Sequence, residues 1–151
     1  MILYILISFS LGIEGGYSLP ANGFRDIDGG VSWAVNLKRV DGFIAYGINL
    51  NTVYNRGKNL GYTLNKTDLK FLLYHNKWRI SPVLELGFSY IKRSLSGHKE
   101  VGYGFQYGAG FLIKFNFESV RIIPGFYYEG ITDFKAQGGF IEFRLGIDYE
   151  I

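Results

Sequence analysis

Residues 103–117 read YGFQYGAGFLIKFNF. Tyr103, Phe105, Tyr107, Phe111, Ile113, Phe115 and Phe117 take every second position, with Ala109 the one small residue in that series. Gly104, Gln106, Gly108, Gly110, Lys114 and Asn116 lie between them. A period of two is a strand period, because successive side chains along a strand point to opposite faces. A strand written this way has one wall of rings and one wall that is nearly bare. The environment that accepts both walls is the main constraint on the fold.

The same alternation runs through most of the chain. Val31, Trp33, Val35 and Leu37 oppose Ser32, Ala34, Asn36 and Lys38; Ile44, Tyr46, Ile48 and Leu50 oppose Ala45, Gly47, Asn49 and Asn51. Leu69, Phe71 and Leu73 alternate with Asp68, Lys70 and Leu72. Trp78, Ile80, Leu84, Leu86, Phe88 and Tyr90 share a face against Arg79, Ser81, Val83, Glu85, Gly87 and Ser89. Val120, Ile122, Phe126 and Tyr128 oppose Arg121, Gly125 and Glu129. The last strand sets Ile141, Phe143, Leu145, Ile147, Tyr149 and Ile151 against Glu142, Arg144, Gly146, Asp148 and Glu150.

Asp41-Gly42 is a two-residue hairpin signal. Tight turns are also predicted at Asn76-Lys77 and near Asn116–Ser119. Longer polar loops are expected at about 15–29, 55–66, 92–102 and 130–139. Tight and long connections alternate, which predicts an up-and-down meander with all short turns at one end. Ile5, Ile7, Phe9, Leu11 and Ile13 alternate with Ser8, Ser10, Gly12 and Glu14, so residues 1–14 read as a first strand. The alternative is the apolar core of a secretory signal, but the segment lacks the Lys or Arg that opens one. With that strand the count is eight, in one domain spanning 1–151, and an export signal would then be missing from the chain. Pro82 and Pro124 each remove a ladder donor, which predicts a bulge or an early break in pairing.

Volume decides which wall is inside. An eight-stranded barrel is just wide enough to be filled by side chains or to hold one small ligand, so about forty bulky groups cannot fit there. A soluble protein cannot expose so large an apolar band, whereas lipid requires it. Glycines 104, 108, 110, 125 and 146, with Ala34, Ala45 and Gly47, suit a narrow lumen. Trp78, Tyr90, Tyr103, Tyr128 and Tyr149 fall near strand ends, where an aromatic girdle belongs. The fold class is therefore all-β, an eight-stranded antiparallel up-and-down transmembrane β-barrel. Two soluble alternatives are a two-sheet sandwich and a lipid-binding barrel. Mean hydropathy is only +0.08, and no stretch reaches the roughly 18 apolar residues of a spanning helix.

Several functions are excluded or disfavoured. The chain has no cysteine, so disulfides and thiolate metal sites are absent. The net charge of +3 is spread without a basic block, against nucleic-acid binding. His75 and His98 are too far apart for a local metal motif, and no cofactor is expected.

At this point the chain resembles the small bacterial outer-membrane barrels of the OmpA transmembrane-domain and OmpX type. The resemblance rests on the architecture, on FSLGIEGGYSLP at 9–20 and on FIEFRLGIDYEI at 140–151. The second segment is similar to the C-terminal strand read by the outer-membrane insertion machinery, although Ile151 stands where such families usually end in Phe. The resemblance implies a monomer in the bacterial outer membrane, with short turns toward the periplasm and long loops outside. It implies contact with membrane lipid and lipopolysaccharide, and a structural or surface-interaction role through the loops. Lipid A deacylase barrels carry a His-x-Ser pair; His75 and His98 are followed by Asn76-Lys77 and Lys99-Glu100, so no enzyme is expected.

The informative residues are the charges on the bare wall. Lys70, Glu85 and Arg144 fall at similar depth from the short-turn end. Lys38, Arg79, Lys114 and Arg121 lie nearer that end, with Asp148 and Glu150 on the last strand. Lys70, Glu85, Arg144, Arg79, Lys114, Arg121 and Asp148 are thus expected to form an ion-pair network plugging the lumen, since unpaired charges there are costly. The alternative is a gate for small ions, which would make the protein a minor small-solute channel.

Overall fold

The computed structural model describes residues 7–22, 27–41, 43–57, 63–95, 98–132 and 137–151. The alternating stretches form β1 (Ile7–Pro20), β2 (Ile27–Asp41), β3 (Ile44–Gly57), β4 (Thr63–His75), β5 (Ile80–Leu95), β6 (His98–Ile113), β7 (Phe115–Phe117), β8 (Val120–Thr132) and β9 (Gln137–Glu150). Neighbours pair antiparallel, and β1 pairs with both β2 and β9, from Ser10↔Glu150 to Pro20↔Phe140. The sheet closes on itself, which leaves no open edge. A two-sheet sandwich is ruled out by that closure.

β6 and β7 are one ribbon of the barrel. Leu112 pairs with Gly125 and Phe115 with Ile122 in the same register, and pairing lapses between them opposite Pro124. A proline has no N–H to give the ladder. The backbone N–H of Lys114 instead donates to the Arg79 carbonyl at 2.9 Å. At Pro82 the ladder to β4 has already ended, one residue on, at Tyr74↔Val83. Both prolines therefore sit at breaks in pairing. Among the described residues the register shifts elsewhere, between Ile27 and Gly30, where the shift turns Ile27 inward.

The long connections are shorter than the sequence predicts. β1 runs to Pro20 and β2 begins at Ile27; β5 and β6 stay paired up to Leu95↔His98, through the segment expected to be a loop. A local run of polar residues resembles a loop, but here it continues a ladder above the apolar belt. β5 has 16 residues, about 53 Å of chain at 3.3 Å each, against an apolar band about 25 Å tall crossed at a tilt of about 40°. The surplus is strand standing clear of the belt. Gly42 of the expected Asp41-Gly42 hairpin lies outside the described residues.

Sidedness is uniform. Ile13, Leu84, Leu86, Phe88, Phe111, Phe143 and Leu145 point outward and are exposed, Phe88 at 70%. Trp78, Tyr90, Tyr103, Tyr128 and Tyr149 are exposed; Trp78 and Tyr149 lie beside strand ends, whereas Tyr90 and Tyr103 lie five residues inside the long-connection ends of β5 and β6. Lys66, Lys70, Glu85, Glu129, Glu142 and Asp148 point inward, each 1% exposed or less. That distribution is the reverse of a lipid-binding soluble barrel, whose apolar face lines its cavity. Inside, Val40, Ala45, Tyr74, Val83, Leu112, Ile123 and Tyr127 cluster toward the short turns. Ile27, Leu64, Ile91, Ile131 and Phe140 cluster toward the opposite end. Gly110 and Gly125 leave the space that the Tyr127 ring fills; a Cβ at either would press on it.

The β7–β8 turn passes through Glu118, whose φ is 49°. A side chain in that left-handed region costs about 1–2 kcal/mol, part of which glycine repays in unfolded-state entropy. Glu118→Gly should therefore raise unfolding stability by about 0.5–1 kcal/mol, and Glu118→Val should lower it. Urea unfolding of the two variants in detergent micelles checks this; a Gly variant no more stable than the parent contradicts it.

Candidate functional site in the barrel lumen

The inward parity of β4 presents Lys66, Asp68 and Lys70 in succession. β5 adds Glu85, β8 adds Glu129, and β9 adds Glu142 and Arg144. These groups meet midway between the two apolar clusters. The Arg144 guanidinium binds Glu85 Oε1 at 2.7 Å, Glu142 Oε2 at 2.9 Å and also Glu129. Lys66 Nζ lies 2.6 Å from Glu129, 2.9 Å from Asp68 and 3.3 Å from Glu142. Lys70 Nζ bonds Glu129 and lies 3.4 Å from Glu85. Neutral donors complete the shell: Gln106 Nε2 donates to Glu129 at 2.6 Å, and Ser89 Oγ to Asp68 at 2.7 Å.

The layer continues toward the short turns through Glu14. Its carboxylate accepts from Asn36 Nδ2 at 2.9 Å and lies 3.9 Å from Arg144 and 3.8 Å from Lys38. Lys38 in turn binds Asp148 at 2.8 Å. Rings cap the charged layer above and below. The Arg144 guanidinium lies 4.1 Å from the Tyr127 centroid, and Lys66 Nζ lies 5.1 Å from that of Phe140. Each ring belongs to one of the two apolar clusters, and a cation over a ring face is attracted by its quadrupole.

Desolvating so many charges is expensive, and buried pairs often do no more than offset that cost. Register is where they matter more. Slipping a strand by two residues keeps every apolar group outward, so alternation alone tolerates it. The same slip would carry Lys66 and Lys70 away from Glu129 and leave buried charges unpaired.

Of the residues expected in the lumen network, Lys70, Glu85 and Arg144 come together directly. Asp148 is paired with Lys38. Lys114 is inside the short-turn mouth, where its Nζ donates to the His75 carbonyl at 2.8 Å and to that of Asn76. Arg121 binds Glu150 at the same rim, apart from the central layer. Arg79 is a correction: it is exposed and lies 5.3 Å from the outward ring of Phe115. It precedes Ile80, where β5 begins, so strand parity does not govern it. Glu14, Lys66, Asp68, Glu129 and Glu142 are the members that the depth comparison omits. Their parity was readable, but Lys66 was hidden by the overlong loop expected at 55–66.

The histidines sit apart from this layer. His75 stacks on Trp78, with centroids 4.4 Å apart, and its Nδ1 accepts from the Trp78 N–H at 3.3 Å. His98 is exposed at the start of β6.

A closed antiparallel barrel that turns an apolar belt outward and encloses its charges has the fold of the small bacterial outer-membrane β-barrels. No protein-family model and no curated protein matches the sequence. Among solved structures, the fold is similar to that of Neisserial surface protein A (NspA), with a TM-score of 0.69 at 11% identity over 93% of this chain and 96% of that one. It is also similar to Ail, the attachment invasion locus protein of Yersinia pestis, with a TM-score of 0.64 at 14% identity over 96% and 97%. The N-terminal β-barrel domain of Pseudomonas aeruginosa OprF follows, with a TM-score of 0.58 at 12% identity over 93% and 97%. At such identities the likeness is one of fold.

Proposed function

We propose that this chain is a monomeric, non-catalytic integral barrel of a bacterial outer membrane, with a plugged lumen and a surface-interaction role. The observation that carries this reading is the continuous apolar exterior wrapped around a dehydrated ionic layer, an arrangement that only lipid satisfies. The short turns face the periplasm, and the polar strand extensions and their connections are presented outside. The proteins it resembles in fold include ones named for surface and attachment roles, which supports that placement of function. Membrane lipid and lipopolysaccharide surround the belt, and the outward row Leu145, Ile147, Tyr149 and Ile151 of the C-terminal segment is the element offered to the insertion machinery. The test is extraction into detergent with heat-modifiable gel migration; partition of folded protein into plain buffer contradicts the proposal.

The channel alternative is disfavoured because an apolar cluster seals the lumen on each side of the charges. In planar bilayers, Glu85→Ala and Arg144→Ala should leave single-channel conductance at the parent level. Joint truncation of Tyr127 and Phe140 to alanine, which removes a ring from each seal, should open it. A conducting parent whose current changes with Glu85→Ala would make the layer a gate instead.

A further inference from the structure

Among the described residues, the exterior collar at the long-connection end carries its outward cations on one side. Register aligns Arg56, Thr63, Ser94 and Lys99 in one outward row across β3, β4, β5 and β6. Two residues nearer the belt, the next row is Tyr54, Asn65, Lys92 and Val101, and the one after is Thr52, Thr67, Tyr90 and Tyr103. Below these lie Leu50, Leu69, Phe88 and Phe105. Three cations, two hydroxyls and an amide thus stand over a row of two threonines and two tyrosines and then an aliphatic and aromatic wall. Glu100, the acid nearest in sequence, has the opposite parity and pairs with Arg93 across the strands. On the other half of the circumference, the corresponding outward positions among the described residues are Tyr17, Leu19, Val31, Tyr128 and Ile141, with no cation.

We propose that the β3–β6 face holds a phosphorylated lipid of the surrounding leaflet, its phosphates on Arg56, Lys92 and Lys99 and its acyl chains on the wall below. Adjacent strands are about 4.8 Å apart, so Arg56 and Lys99 are about 14 Å apart, a span for more than one phosphate of a glycolipid headgroup. Arginine and lysine both take phosphate, the first in a fork and the second as a point charge. Thr63, Ser94 and Asn65 supply neutral donors between them. The requirement for headgroup and chains together selects a lipid over free phosphate. The inference rests on the membrane placement proposed above and adds to it a site on one face.

The test uses the full chain refolded into phosphatidylcholine vesicles doped with diphosphorylated lipid A, followed by mild detergent extraction and native mass spectrometry of the lipid retained. Failure to insert into any vesicle would overturn the membrane placement itself. Given insertion, the parent should retain lipid A over phosphatidylcholine, and the triple variant Arg56→Ser, Lys92→Ser, Lys99→Ser should lose about 10–100-fold of that preference. Dephosphorylated lipid A should be retained no better than phosphatidylcholine, and millimolar inorganic phosphate should compete weakly. Lys77→Ser with Arg79→Ser, at the other end, should bind as the parent does. Equal retention by the triple variant and the parent, or no preference in the parent, overturns the proposal. Heat-modifiable migration verifies that each variant is folded.

Discussion

Replacing Arg144 by methionine should destabilise the inserted barrel by about 3–5 kcal/mol, the range for breaking a buried ion pair from one side. The reason is charge inventory. Lys66, Lys70 and Arg144 face Asp68, Glu85, Glu129 and Glu142 in the central layer. Losing Arg144 leaves two cations against four carboxylates in a space that water does not reach. Glu85→Gln is the informative contrast, because it leaves three cations against three carboxylates and keeps an acceptor for Arg144. It should cost less, about 1–2 kcal/mol, the cost of weakening hydrogen bonds rather than stranding charge. The double variant Arg144→Met, Glu85→Leu should recover part of the single Arg144 loss, since one of the surplus carboxylates is gone. Reversible urea unfolding in phospholipid vesicles, followed by tryptophan emission, measures all three. If Arg144→Met and Glu85→Gln cost the same, the inventory argument is wrong and the layer behaves as independent pairs.

Leu86→Arg should cost about 2–4 kcal/mol in a bilayer, the value for a basic side chain at the midplane of a transmembrane barrel. Leu86 is 52% exposed and lies midway along the outward face of β5, between Leu84 and Phe88. In water the same exposed site would accept arginine with little effect, typically within about 0.5 kcal/mol. The substitution thus reads the solvent around the barrel rather than the packing within it. Moving the charge along the same face to Tyr90, at the aromatic rim, should shrink the cost to about 0–1 kcal/mol. A Leu86→Arg variant as stable as the parent in vesicles would mean that hydrocarbon does not bathe this face.

Much of the fold was legible before the structure. Parity along β1, β2, β3, β5 and β9 follows from single residues such as Leu11 beside Gly12, or Leu145 beside Arg144. The breaks at Pro82 and Pro124 were foreseen from a missing N–H, as one of two options. The loop lengths were not, because residues such as Lys92 and Lys99 are polar for their depth along the strand, not for lack of a partner. A one-dimensional reading sees polarity and cannot see the neighbouring ladder. The candidate site was half legible for a related reason. Lys70, Glu85 and Arg144 could be matched by counting from turns on their own strands. Glu129 and Lys66 required knowing how far each strand is offset from its neighbour around the whole circle.

Alternation is a local property, and it determined sidedness and closure: bulky groups too many for any interior must face outward, and a sheet with such an exterior has to close. Register is a collective property. A slip of two residues leaves the pattern of every strand unchanged, so the sequence taken strand by strand is indifferent to it. Only the closed structure, in which Arg144 on β9 reaches Glu85 on β5 across the axis and Glu85 also meets Lys70 from β4, shows which register was selected. Buried charge makes that choice, because it tolerates no vacancy opposite it.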